Sequence, residues 1–168
     1  LASIAKGYGV DQVAAVISAS GIANFVVEIG GEVYARGLRP DGKPWRVGIN
    51  TPKPMSGATE VYKVVPISDR ALATSGDYRI FFEAGGKRYA HILDPRTGRA
   101  VDNRVVSASV IAPDCTRADG LATALVVMGP EKGLALVNRL PDMECLIVVE
   151  AEDGRLVEHA SRGFRTEP

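Results

Sequence analysis

The sequence predicts an α+β protein, built mainly on an antiparallel sheet with about three helices. Three observations carry that expectation. Roughly nine short apolar runs of strand length are separated by Gly-Gly, Asp-Gly and Pro-containing turns. Only three stretches have the spacing of an amphipathic or buried helix. Strands and helices do not alternate regularly, which disfavours a doubly wound parallel sheet.

Taken in order, a small, glycine-rich opening (Leu1 to Gly9) leads into an apolar stripe at helical spacing. That stripe is Val10, Val13, Ala14, Val16 and Ile17, closed by Gly21 at the C′ position. Phe25 to Ile29 reads as a strand, Gly30-Gly31 as a two-residue hairpin turn and Glu32 to Gly37 as the return strand. Trp45 to Ile49 alternates as a half-buried strand should. Thr51 to Ala58 is loop-like, with two prolines and a glycine, and Val61 to Ile67 returns to strand. Ala71 to Gly98 reads as strand, a tight turn at Thr74 to Tyr78, strand, Gly85-Gly86 hairpin, strand and loop.

Val105 to Ala112 is a strand feeding a helix from Asp114 to Met128. Asp114 is its N-cap, because a carboxylate there can accept from an orphan amide of the first turn. Beyond Thr123 this helix is apolar and is expected to be buried. Gly129-Pro130 stops it, and Glu131 to Leu140 forms the third helix. Cys145 to Glu150 is a buried strand, Asp153-Gly154 a tight turn, Arg155 to His159 a final strand, and the tail after Gly163 is expected to fray.

With 168 residues, 46% hydrophobic and 24% charged, the chain has the length and composition of one globular domain. Its 20 basic and 20 acidic residues cancel, so no global field draws nucleic acid. No apolar run is long enough to span a bilayer. Cys115 and Cys145, the only cysteines, lie in no metal-binding spacing and are expected as two unpaired, partly buried thiols. The opening on Leu1, inside a motif-like segment, reads as a fragment or a processed chain.

Four places can carry chemistry. In IAKGYG, Lys6 stands among glycines ahead of a helix, where amides and an ammonium could meet a phosphate, although the spacing is not that of a Walker loop. TSGDY reads as an ordinary hydroxyl-bearing turn. In HILDPRTG, His91 could act as a general base near neutral pH, ahead of a proline-stiffened loop; His159 has no such neighbours. In DCTRADGLATALVVM, Asp119 and Thr123 are four positions apart and so share a helix face. Oxygen donors at that spacing suit a hard cation such as Mg²⁺. The plainer reading is that Asp119 favours the helix dipole and Thr123 bonds back to the preceding turn.

In this order, IAKGYGVD, VEIGGE, GLRPDGKPWRVGI, ATSGDY, HILDPRTG and ADGLATAL followed by MGPEKGL resemble the ApbE family over nearly the whole chain. The resemblance implies an ApbE-like fold truncated at the N-terminus, with residues 1–168 as the C-terminal portion of a flavin transferase domain. It implies Mg²⁺-dependent transfer of FMN from FAD, as substrate, to a Thr or Ser hydroxyl of an acceptor protein, with release of AMP. The alternatives are an FAD pyrophosphatase giving FMN and AMP, or a non-catalytic flavin-binding module. By the same resemblance Asp119 and Thr123 are metal positions, and Ser3 supplies another ligand, often through its carbonyl. Lys6 lines the FAD site, Leu93 makes a main-chain contact to the nucleotide, and His91 deprotonates the acceptor hydroxyl.

The implied partners are FAD and the flavin-accepting subunits of membrane redox complexes. The implied location is the bacterial cell envelope, on the periplasmic side, through an upstream signal or lipid anchor. Strands packing against the family's amino-terminal part are expected to be exposed here, which favours a homo-oligomer. Ser56-Gly57-Ala58-Thr59 resembles the acceptor motif, read as a chance polar loop, with self-flavinylation at Thr59 as its functional alternative.

Overall fold

The structure is a computed structural model that describes residues 2–53, 60–76, 81–84, 87–90 and 92–167, with only the backbone described for 81–84 and 87–90. The elements in chain order are α1 (Ala5–Ala19), β1 (Phe25–Ile29), β2 (Glu32–Arg36), β3 (Trp45–Asn50), β4 (Val61–Ile67), β5 (Arg70–Gly76), β6 (Phe81–Ala84), β7 (Lys87–Ala90), β8 (Leu93–Asp94), β9 (Arg99–Ala100), β10 (Val105–Ala112), α2 (Cys115–Met128), α3 (Pro130–Val137), β11 (Glu144–Glu150) and β12 (Leu156–Ala160). The expected α+β architecture is present, with three helices among the described residues. The pairings are all antiparallel, and β1-β2-β5-β10-β11-β12 form one six-stranded sheet.

The period of two along each strand sorts side chains into two cores. On one face Ala71, Ala73, Ala108, Val110, Cys145 and Ile147 pack beneath the helices, with Ala118, Ala122, Leu125 and Val126 of α2. The alanines on both surfaces let α2 lie close to the strands. On the other face Leu72, Ile111, Leu146 and Val148 pack under Ile49 and Val65 of the β3–β4 hairpin and under Phe164. All eight residues of β10 are buried, as befits a central strand covered on both sides.

The hairpin turn between β1 and β2 is as expected, with positive φ at Gly30 (61°) and Gly31 (99°) and Ile29 paired to Glu32. Gly21 likewise closes α1 with φ of 82°. Tyr62 donates to Glu158 at 2.6 Å and Lys63 pairs with the same carboxylate at 3.1 Å, fastening the β3–β4 hairpin to β12.

Several expectations need correction. The glycine-rich opening is not a loop before a helix: α1 begins at Ala5 and takes in Lys6 and Gly7. Thr74 and Ser75 belong to β5 and not to a turn. The tail past Gly163 does not fray, because Phe164 is buried, the Glu167 amide donates to the Val64 carbonyl at 2.9 Å, and Arg46 pairs with the Glu167 carboxylate at 2.7 Å. Both thiols are fully buried. The Gly85-Gly86 pair and Ser56-Gly57-Ala58-Thr59 lie outside the described residues.

Candidate functional site

The site is built where α1 and α2 meet. Gly7, in the first turn of α1, lies so close to α2 that a Cβ there would be 2.3 Å from the Cys115 carbonyl oxygen and 2.9 Å from Asp119 Cβ. No side chain fits at that crossing. The close approach lets the Gly7 amide donate to Asp119 Oδ2 at 3.0 Å. Asp11 returns the favour one turn further along α1, accepting from the amides of Cys115 (2.8 Å) and Thr116 (2.9 Å). Each helix therefore lends a carboxylate to the other's amino-terminal amides, where orphan donors and the helix dipole both favour negative charge. Asp114 completes the cap of α2 by accepting from the Arg117 amide at 2.9 Å, as expected from the sequence.

This junction opens on a cleft of about 1400 Å³. Ser3 and Lys6 line it from the start of α1, Gly30 and Gly31 from the β1–β2 turn, and Arg46 to Asn50 from β3. Thr74 to Gly76 enter from the end of β5, Leu93 from β8 and Arg96 from the β8–β9 loop. One side of α2 supplies Asp119, Gly120, Thr123, Ala124, Val127 and Met128. The carboxy-terminal part of α2 is thus not uniformly buried as expected: Leu125 and Val126 enter the core while Ala124, Val127 and Met128 give the cleft an apolar wall.

Five of the six residues singled out from the sequence, Ser3, Lys6, Leu93, Asp119 and Thr123, line this one cleft. The sixth, His91, lies outside the described residues. Asp119 is 3% exposed, and burial holds its carboxyl above the usual range against the opposing pull of the Gly7 amide and Lys6. Thr123 Oγ1 lies 3.0 Å from Ser75 Oγ and donates weakly back to the Asp119 carbonyl at 3.3 Å. The plain back-bonding reading of Thr123 is therefore realised, together with its place on the cleft wall. The Ser3 carbonyl lies over Gly120, about 4.0 Å from where a Cβ would stand. At the end of β8, Asp94 accepts from the Arg96 guanidinium (2.7 Å) and amide (2.9 Å), which holds its carboxyl down at about 2; the neighbouring Leu93 is exposed at the cleft.

Sequence reasoning missed three contributors. Ser75, expected in a turn, lies in β5 and faces Thr123. Gly7, expected in a glycine-bearing stretch ahead of a helix, sits inside α1 where the helices cross closely. Glu32, expected only as the first residue of the return strand, is 1% exposed and 2.7 Å from the Lys6 ammonium. Burial raises the Glu32 carboxyl, Lys6 opposes this, and the charge of Asp119 adds to the rise. The available signal was that Glu32 opens a strand whose next residues alternate toward a core.

The fold and cleft together define an α+β protein with an oxygen-rich, partly cationic cleft at the amino-terminal end of a buried helix, suited to an anionic ligand with an apolar part. The chain belongs to the ApbE family, whose profile matches residues 1–147. It is 48% identical over 167 residues to an FAD:protein FMN transferase of Vibrio cholerae, covering 98% of this chain and 48% of that protein. Among solved structures it is similar to the flavin transferase ApbE from Vibrio cholerae (TM-score 0.82, 46% identity, 96% of this chain and 50% of that one). It is also similar to the apo flavinyl transferase ApbE of Pseudomonas stutzeri (TM-score 0.79, 42% identity, 95% and 48%). The chain spans about half the length of the relatives it matches.

Proposed function

We propose that the protein containing this chain transfers FMN from FAD to a Thr or Ser hydroxyl of an acceptor protein, releasing AMP, with Mg²⁺ as the metal. The single observation that carries this reading is the convergence of Ser3, Lys6, Asp119 and Thr123 on one cleft, in a chain 48% identical to a protein with that name. The donor set suits the metal. One carboxylate with a hydroxyl and a carbonyl matches a hard cation that keeps waters and shares phosphate oxygens.

Asp119, Thr123 and the Ser3 carbonyl would hold Mg²⁺, which when bound neutralises charge on the diphosphate. The residues of the chain do the rest. Lys6 sets an ammonium beside the diphosphate, and the apolar side of α2 shields the reacting groups from bulk water. His91 takes the proton of the acceptor hydroxyl as its oxygen bonds to the FMN phosphorus. The bond from that phosphorus to the bridging oxygen breaks, and AMP leaves with the electron pair. Such a transfer rests on positioning and charge more than on covalent help from the protein.

The same reading makes the acceptors flavin-carrying subunits of redox complexes on the periplasmic side of a bacterial membrane. The test combines the intact protein, FAD, Mg²⁺ and an acceptor bearing Ser-Gly-Ala-Thr, with AMP and acceptor mass followed together. AMP with a mass gain of one FMN is the expected result. AMP with free FMN would make the protein a pyrophosphatase, and neither product would make it a binding module.

A further inference from the structure

Glu32 is a buried carboxylate that the proposed transfer does not use. It stands at the first position of β2, directly after the Gly30-Gly31 turn, and is 1% exposed. Its Oε2 is 2.7 Å from Lys6 Nζ, the distance of a charge-assisted hydrogen bond. Among the described residues Lys6 is the one cation whose charge lowers the Glu32 carboxyl against the effect of its burial. Lys6 is 47% exposed at its side chain and lines the cleft, while its stem crosses Gly30, where a Cβ would meet Lys6 Cδ at 3.2 Å. The same ammonium also lies 3.5 Å from the Gly30 carbonyl.

A buried carboxylate paired with a half-exposed ammonium is a poor choice for stability, since apolar residues of similar volume usually serve at least as well. What Glu32 does supply is a fixed location for a side chain that would otherwise sample many rotamers. It also occupies the Lys6 ammonium, which would otherwise be free to turn to Asp119. We propose that Glu32 is a positioning residue, a buried counter-ion that holds the Lys6 ammonium at the cleft edge so that a dinucleotide's diphosphate meets a pre-oriented cation. This inference rests on the flavin-nucleotide reading of the cleft and deepens it.

The test measures FAD binding to the intact protein by flavin fluorescence, without turnover, in a double-mutant cycle. Lys6→Met is expected to weaken binding roughly tenfold, as for loss of one charge-assisted phosphate contact. Glu32→Gln is expected to weaken it several-fold, and the double variant to bind no worse than Lys6→Met alone, because Glu32 acts only through Lys6. If Lys6→Met binds FAD normally, the role given to Lys6 in the cleft fails. If Lys6→Met weakens binding but Glu32→Gln is neutral, or the two losses multiply, the positioning role is overturned while the cleft reading stands. Glu32→Met replaces the glutamine variant should the latter not fold.

Discussion

Asp119 accepts a hydrogen bond at 3.0 Å from the amide of Gly7, a residue 112 positions earlier in the chain. That one contact does two things. It caps the first turn of α1, whose own N-cap Ile4 offers no side-chain bond, and it fixes the carboxylate proposed to hold the metal. Fold and site are joined at this point.

Gly7→Ala tests the joint from the packing side. The added methyl would stand 2.3 Å from a backbone oxygen that cannot swing away, so the helices must separate. We expect a loss of about 3 kcal/mol in urea unfolding, at the upper end for overpacking, together with weakened FAD binding. A stability loss within error of zero would mean that the crossing is looser than described.

Asp119→Asn tests it from the charge side. In the metal-free protein burial raises the Asp119 carboxyl above its ordinary value. A group raised on folding contributes stability that is fully present below its unfolded pKa and is lost as pH rises through the folded one. The neutral amide can still accept from Gly7 and carries no such loss. The stability of Asp119→Asn relative to wild type should therefore grow as pH is raised from about 4 toward about 8 in the presence of a chelator. A difference independent of pH would contradict the burial argument. AMP release in the FAD assay should fall to background, and activity retained within a few-fold of wild type would remove Asp119 from the proposed metal site.

Asp11→Ala removes the acceptor for the Cys115 and Thr116 amides and for the Thr116 hydroxyl at 2.5 Å. Loss of a helix cap of this kind costs up to about 2 kcal/mol, and Asp11→Asn should recover part of it. Equal stability of the alanine variant and wild type would show that Asp114 suffices as the cap of α2.

Cys115 and Cys145 should both be inert in the native protein. Both have zero exposure; burial pushes the Cys145 thiol up to about 11, and burial with the nearby carboxylates pushes Cys115 up as well. Iodoacetamide at about pH 8 should add nothing to the native mass and two carbamidomethyl groups after unfolding in urea, since only an accessible thiolate reacts. Native labelling at either position would show that the helix-side core opens.

Much of the fold was legible from local chemistry. Gly30-Gly31, Gly21 and Asp114 announce a turn, a helix end and a cap because each depends on neighbouring backbone alone. The short apolar run from Val105 to Ala112 could say strand, but an all-buried strand needs partners on both faces, which no local pattern specifies. The ordered tail is illegible locally for the same reason: Phe164 and Glu167 are held by β3 and β4, about a hundred residues away in sequence.

The sequence by itself determined most element types and the α+β class, through periodicity and turn chemistry, and the candidate residues Ser3, Lys6, Leu93, Asp119 and Thr123, through the order of its motifs and the family they resemble. Only the tertiary structure decided that the opening is helical, that Gly7 marks a helix crossing and that Glu32 is buried against Lys6. Those facts depend on bonds and contacts between segments distant in sequence, and such distances become short only once the sheet has brought α1 and α2 together.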